Sequence, residues 1–204
     1  MIIGSGRLKG KSLSPLGKQP WLRPTSDKAR EALMDILRPV LGGARVLELC
    51  AGTGAVGIEM LSNGAAHVTF VDSDAKSVRL IRENLRLLAL EDGTTTILKE
   101  DAVAAAARVR GDEVDIVVAD PPFESGLHER ILETLAAQLR EEADGCIIVM
   151  EHATRENLMT QYAGRLVHLV AYKEKRYGDI TMTLFRAVVG LSAPERETCD
   201  QEEE

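Results

Sequence analysis

An α/β fold with a mainly parallel sheet covered on both faces is what this 204-residue sequence predicts. Three observations carry the prediction. Short apolar runs alternate with amphipathic stretches from Ala44 onward, the pattern of strands buried between layers of helix. A glycine-rich turn, Gly52-Thr-Gly54-Ala-Val-Gly57, follows the first apolar run. A rigid tetrapeptide, Asp120-Pro-Pro-Phe123, follows the fourth.

Residues 2–13 alternate loosely and predict a short β-hairpin, with Gly4, Gly6 and Gly10 as punctuation. Residues 14–24 read as an extended arm, because proline and glycine interrupt any regular pattern there. Thr25 or Ser26 caps a helix running to about Leu37, whose apolar stripe is Ala29, Leu33, Ile36 and Leu37. Pro39 marks its end, and Arg30 faces away from the stripe. Strands follow at 44–49, 67–72, 95–99, 114–119 and 145–151, and helices at 54–63, 74–90, 101–109 and 127–141. A weak helix at 155–161 precedes two strands, 165–174 and 179–188, joined near Tyr177-Gly178-Asp179. Closing the sheet with that hairpin makes seven strands, the C-terminal one antiparallel. Residues 190–204 are polar and acidic and are expected to be disordered. The chain thus divides into an arm over 1–24, a main domain over 25–189 and a tail over 190–204.

The net charge of −7 argues against a nucleic-acid partner until its distribution is seen. Residues 1–45 hold nine basic residues against three acidic ones, whereas residues 190–204 hold six acids against Arg196 alone. A basic front on an acidic chain predicts a localised phosphate-binding surface. Cys50, Cys146 and Cys199 lack metal-ligand spacing and the four histidines are scattered, so no metal is expected. No apolar run approaches the roughly 20 residues that cross a bilayer, and no signal peptide is evident, which predicts a cytoplasmic protein without a membrane partner.

The glycine turn satisfies G-x-G-x-x-G, which lets backbone N–H groups meet a polar ligand at a helix N-terminus. Asp72, at the end of the second strand, is placed to accept from ribose hydroxyls, with Asp74 close behind. These features suit a nicotinamide dinucleotide and S-adenosylmethionine alike. Glu48 shifts the balance, because a carboxylate just before the turn opposes a pyrophosphate and suits a sulfonium with a cationic amino-acid end. Asp101, beside Ala102 after the third strand, is placed to accept from an adenine amine or to cap the next helix; Glu100 is an alternative acceptor. The cofactor candidates are therefore Glu48, Gly52, Gly54, Asp72, Asp74, Asp101 and Ala102.

Asp120-Pro121-Pro122-Phe123 suits the methyl acceptor. The Asp120 carboxylate and the Pro121 carbonyl can accept from both N–H groups of an exocyclic amine. The prolines fix their own φ and bring no competing N–H. Phe123 offers a face on which a base can stack. In open α/β sheets both loops lie beyond the carboxyl ends of strands, where ligands bind. Together they predict an S-adenosylmethionine-dependent N-methyltransferase.

The chain resembles the RsmD family, the 16S ribosomal RNA guanine-N2 methyltransferases. The likeness is carried by Ile2-Ile-Gly-Ser-Gly-Arg-Leu-Lys-Gly-Lys11, by Leu22-Arg-Pro-Thr-Ser-Asp-Lys-Ala-Arg-Glu-Ala-Leu33, by Glu48 to Gly57, by Asp120 to Phe123 and by Arg176-Tyr-Gly-Asp179. It implies a class I, Rossmann-like methyltransferase fold with an N-terminal β-hairpin extension that grips RNA. It also implies S-adenosylmethionine as donor, and a guanine N2 in 16S ribosomal RNA of a partly or fully assembled small subunit as acceptor. Arg7, Lys9, Lys11, Arg23, Thr25 and Arg30 become the RNA-side candidates. Glu48 stands where the family often has Asp, and Phe123 where it often has Tyr.

Other readings are a DNA adenine or protein glutamine N-methyltransferase, and a non-catalytic RNA-binding assembly factor that keeps the fold. A dinucleotide oxidoreductase is disfavoured by Glu48. Neutralising Arg7, Lys9 and Lys11 together is expected to weaken RNA binding and to flatten its salt dependence. Unchanged affinity across a salt titration of that triple variant would remove the basic N-terminus as the grip.

Overall fold

The computed structural model describes residues 1–14, 27–90, 93–123, 125–139, 145–166 and 168–188. Residues 15–24 of the predicted arm, Arg23 among them, lie outside the described residues, as do Thr25 and the acidic tail. The first regular helix, α1, spans Asp27–Leu41. Then come β1 (Arg45–Leu49), α2 (Ala55–Ser62), β2 (His67–Asp72), α3 (Ala75–Leu87), β3 (Thr95–Lys99) and α4 (Ala102–Ala106). The second half adds β4 (Ile116–Ala119), α5 (Leu127–Gln138), β5 (Ile147–Ala153), α6 (Leu158–Gln161), β6 (Leu169–Tyr177) and β7 (Ile180–Ala187). Every predicted strand and helix of the main domain is present, with ends displaced by a few residues.

The seven strands are ordered β3-β2-β1-β4-β5-β7-β6. The first five in sequence are parallel, and β7 runs antiparallel between β5 and β6. Strands β4 and β5 are buried along their whole length, as expected for a sheet sandwiched by helices. One core cluster joins α1, α2 and α3 to one face of the sheet, and a second joins α4, α5 and α6 to the other.

Helix α1 does not stop before Pro39 but carries it in its last turn. Proline there removes one hydrogen bond near a terminus, where the cost is least. Leu37 and Leu41 are both buried, so continuing the helix adds apolar contact on the same face. The predicted N-terminal hairpin is present and short: Ile2 bridges Ser12, Ile3 N donates to Lys11 O (2.9 Å), Gly10 N to Ile3 O (2.9 Å) and Leu13 N to Met1 O (3.0 Å), around a 3-10 turn at Gly6–Leu8.

That segment is held by α2. Glu59 Oε1 accepts from Gly4 N (3.0 Å) and Ser5 Oγ (3.1 Å), and Ser62 Oγ donates to Ser5 O (2.6 Å) and accepts from Leu8 N (2.8 Å). A Cβ on Gly6, at φ +74°, would lie 2.1 Å from Ser62 O, so the close approach requires glycine. Ile3 and Leu13 enter the core beside α1 and α2. All eight residues of α2 are buried because the sheet lies beneath and residues 1–14 lie above.

Arg30 overturns its expectation. Its side chain is 1% exposed, with Nη2 donating to Ile2 O (3.1 Å) and Asp27 Oδ1 (2.5 Å), and Nε 3.6 Å from Glu59 Oε2. A buried guanidinium paired with a buried carboxylate cannot reach RNA. It ties α1, α2 and the chain's first residues together. Removing one partner strands the other, which typically costs about 3–5 kcal/mol. Glu59→Ala is expected to lower urea stability by that order, and Arg30→Met with Glu59→Leu to recover most of the loss. Equal stability of Glu59→Ala and wild type would show that the pair does not hold this corner.

Candidate active site

Strand order reverses between β1 and β4, and the sheet's principal cleft opens there, at the carboxyl ends of the strands. Leu49 pairs with Ala119, so the residues that follow them emerge side by side, and Asp120 N donates to Leu49 O at 3.4 Å. The glycine turn and the Asp120 tetrapeptide therefore line one cleft of about 1130 Å³.

The turn is built by three positive φ values, at Cys50 (57°), Gly52 (54°) and Gly54 (72°). A left-handed non-glycine such as Cys50 is uncommon and concentrates at functional turns. Nothing in the residue type signalled it. The turn is pinned by Ala51 N to Val71 O (3.0 Å), Gly52 N to Asp72 Oδ2 (2.8 Å) and Gly54 N to Ala51 O (2.7 Å). Buried Asn84 on α3 adds a brace, donating to Thr53 O (2.9 Å) while accepting from Ser14 N (2.8 Å).

Glu48 is buried, and its Oε2 accepts from Gly57 N at 3.1 Å. A Cβ on Gly57 would meet that oxygen at 2.5 Å and Phe70 at 2.6 Å, so the third glycine of the motif makes room for the carboxylate. Burial, with Asp120 and Asp72 nearby, pushes the Glu48 carboxyl up to about 8 against the single hydrogen bond from Gly57.

Asp72 Oδ1 also accepts from Asp74 N at 2.8 Å, so this carboxylate shapes the loop while lining the cleft. Asp74 caps α3 through Lys76 N (2.9 Å). Asp101 caps α4, with Oδ1 accepting from Val103 N and Ala104 N, both at 3.0 Å. Both bonds fall on one oxygen, which makes capping compatible with accepting from a ligand through the other. Glu100 is instead engaged bidentately by Arg108, which holds its carboxyl below the usual range. Asp101 is thus the better acceptor of the two. Ala102 is buried and lines the same wall.

Pro121 is buried, Phe123 half-buried and Pro122 exposed. Ser125 Oγ donates to Pro122 O (2.6 Å) and accepts from Leu127 N (3.2 Å), locking the loop at the start of α5. The opposite wall was missed by sequence reasoning. It includes Glu151, Thr154, Arg155, Tyr177 and Asp179. Thr154 N donates to Asp179 O (2.9 Å) and Thr154 Oγ1 to Gly178 O (3.0 Å), which fastens the β6–β7 turn to the end of β5. The available signal was Arg176-Tyr-Gly-Asp179, which sequence reasoning left without a role.

Arg7, Lys9 and Lys11 are exposed. They ride on the segment whose tip packs at Ser62, the end of α2 remote from the glycine turn. The eight residues of α2 span about 12 Å, so a ligand touching both tip and cleft must be long. Of the other RNA-side candidates, Arg30 is buried, and Arg23 and Thr25 lie outside the described residues.

Among the described residues eight carboxylates line the cleft, with Glu48, Asp72, Asp101 and Asp120 among them. That donor set, with Glu48 pushed up to about 8 chiefly by its burial, fits a small cationic ligand carrying hydroxyls and amines. It is hostile to a pyrophosphate. No helix among the described residues is long and apolar enough to cross a membrane.

The family model described as conserved hypothetical protein 95 matches residues 1–186. The ribosomal RNA small subunit methyltransferase D of Escherichia coli (strain K12) is 35% identical over 186 residues, covering 91% of this chain and 88% of that protein. The solved structure of yhhF from Escherichia coli superposes with a TM-score of 0.76 at 29% identity, covering 92% of this chain and 97% of that one. The 16S rRNA N2 methyltransferase RsmC of T. thermophilus, solved with AdoMet and guanosine, superposes with a TM-score of 0.65 at 23% identity. The overlap covers 89% of this chain and 46% of that one, a likeness of fold.

Glu48 gives the ligand-free protein a pH signature. Its carboxyl ordinarily titrates at 4.5 and in the fold at about 8. Between those values the folded state holds a proton that the unfolded chain has released, so stability falls as pH rises through the window. The thermal midpoint is expected to decline from about pH 5 to about pH 8, and Glu48→Gln to flatten the decline. The same slope in both proteins would show that Glu48 is not the group responsible.

Proposed function

We propose, since this chain belongs to the conserved hypothetical protein 95 family, that it transfers the methyl group of S-adenosylmethionine to the exocyclic N2 of a guanine in 16S ribosomal RNA. The observation that carries the reading is the adjacency of two loops remote in sequence. Asp120 N is hydrogen-bonded to Leu49 O, which puts an amine-binding tetrapeptide beside a glycine turn lined by acids. The name of the E. coli relative supports ribosomal RNA of the small subunit. The fold shared with an AdoMet- and guanosine-bound neighbour supports the donor and the acceptor base.

S-adenosylmethionine supplies an electrophilic methyl carbon on a sulfonium. Glu48 offsets the positive charge of the donor's amino-acid end, beside the Gly52–Gly54 turn. Asp72 and Asp74 hold the ribose side, and Asp101 with Ala102 the adenine side. On the acceptor side, the Asp120 carboxylate and the Pro121 carbonyl take the two N–H groups of the guanine amine. Those bonds draw the nitrogen lone pair out of ring conjugation and aim it, and positioning of this kind accounts for much of the rate. Pro122 stiffens the loop. Phe123 stacks on the base and contributes about 1–3 kcal/mol. The base reaches the cleft unpaired or flipped out, because a stacked base cannot enter it. Arg7, Lys9 and Lys11 hold flanking phosphates, in keeping with a long RNA on a small subunit that carries ribosomal proteins.

Asp120→Ala is expected to lower kcat by about a hundredfold or more while leaving S-adenosylmethionine affinity within a few-fold by calorimetry. In cells lacking the gene, mass spectrometry of 16S ribosomal RNA is expected to show the loss of a single N2-methylguanosine. Wild type restores it and Asp120→Ala does not. Restoration by Asp120→Ala, or a missing mark on adenine, would refute the assignment.

A further inference from the structure

Strand β6 is an edge of the sheet, and a β-bulge between Ala171 and Lys173 gives it an unusual face. Before the bulge, Val170 pairs with Arg186, which alternates with Phe185 and Ala187 of the α4–α6 core and therefore points to the opposite side. After it, Lys173 pairs with Leu184 and Lys175 with Met182, both members of the α1–α3 core, so these lysines also share the α1–α3 side of the sheet. The extra residue reverses the alternation. Val170, Tyr172, Lys173, Lys175 and Tyr177 consequently line one side. Unbroken alternation would have placed Glu174 and Arg176 there instead. Those two share the other side and pair with each other at 3.0 Å.

We propose that this face is a docking strip for single-stranded RNA that leads to the cleft, an inference that rests on the RNA-substrate reading above. Val170 (43%) and Tyr172 (41%) are exposed large hydrophobic side chains, few among the described residues. The Arg186 guanidinium lies 5.2 Å from the Tyr172 ring centroid, forming the aromatic–arginine platform on which an unpaired base stacks. Lys173, Lys175 and Arg186 add three cations, and β6 places no acid on that side. Tyr177, at the far end of the strip, lines the cleft. The strand from Tyr172 to Tyr177 covers about 16 Å, so the strip holds nucleotides flanking the target. The occupant that complements this charge is a polyanion with flat faces.

The test uses the full-length protein, radiolabelled S-adenosylmethionine and, as the RNA, small ribosomal subunits isolated from cells lacking the gene. Tyr172→Ala is expected to raise KM for RNA about tenfold, within the range for losing one stacked base. KM for S-adenosylmethionine and the thermal midpoint should stay put, and Tyr172→Phe should behave as wild type. Lys173→Ala with Lys175→Ala should reduce the slope of log affinity against log salt by about 1.4, the value for two single-strand phosphate contacts. Unchanged RNA KM and salt slope, with wild-type methylation intact, would overturn the strip and leave the enzyme reading standing. A wild type that leaves the RNA unmethylated would overturn that reading and the strip with it. A dimer that RNA does not displace, and that Tyr172→Ala dissociates in sedimentation, would assign the face to a second copy and also overturn the proposal.

Discussion

Two parallel strands that lie side by side must end on the same edge of the sheet. The pairing of Leu49 with Ala119 applies that constraint to β1 and β4, and the cleft follows from it. The crossovers turn one way after β1 and the other way after β4, so no helix covers the gap between the two loops. Sequence separates Gly52 from Asp120 by 68 residues, yet the register leaves neither loop anywhere else to go. Gly57 completes the arrangement, since a side chain there would collide with both Glu48 and Phe70.

Charge is partitioned with equal economy. Acids gather in the cleft, where burial, with Asp120 and Asp72 nearby, raises the cost of ionising Glu48. A cationic ligand relieves that crowding, and so the site discriminates by electrostatics before any shape is matched. Cations gather outside, on the N-terminal segment and along the outward face of β6. The net charge of −7 averages over both and describes neither.

The fold was legible because periodicity reports burial. Fully apolar runs such as Ile116–Ala119 and striped helices such as α3 announce themselves. The cleft was legible where a residue type has few other uses, as with Asp120-Pro-Pro-Phe123. What sequence could not show depends on packing. Pro39 looked like a stop, but buried Leu41 outweighs one lost hydrogen bond. Arg30 looked solvent-facing because its partners, Glu59 and Ile2 O, come from other segments. The face of β6 was hidden because one bulged residue inverts the alternation on which strand reading relies. The wall formed by Glu151, Thr154 and Tyr177 comes from the ends of β5 and β6, which meet only in three dimensions.

The Arg30–Glu59 pair has a consequence for how such an extension is inherited. Its carboxylate anchors Gly4 and Ser5 while its guanidinium holds Ile2, so the leading residues are a lid over a helix that has no solvent-ready surface of its own. A module of that kind cannot be swapped like a tag. Transplanting it to another methyltransferase would require α1 and α2 to travel with it, and shedding it would leave a greasy helix facing water. Sequence change in the segment is then confined to the exposed positions of the tip, while the residues beneath stay fixed by the demands of the core.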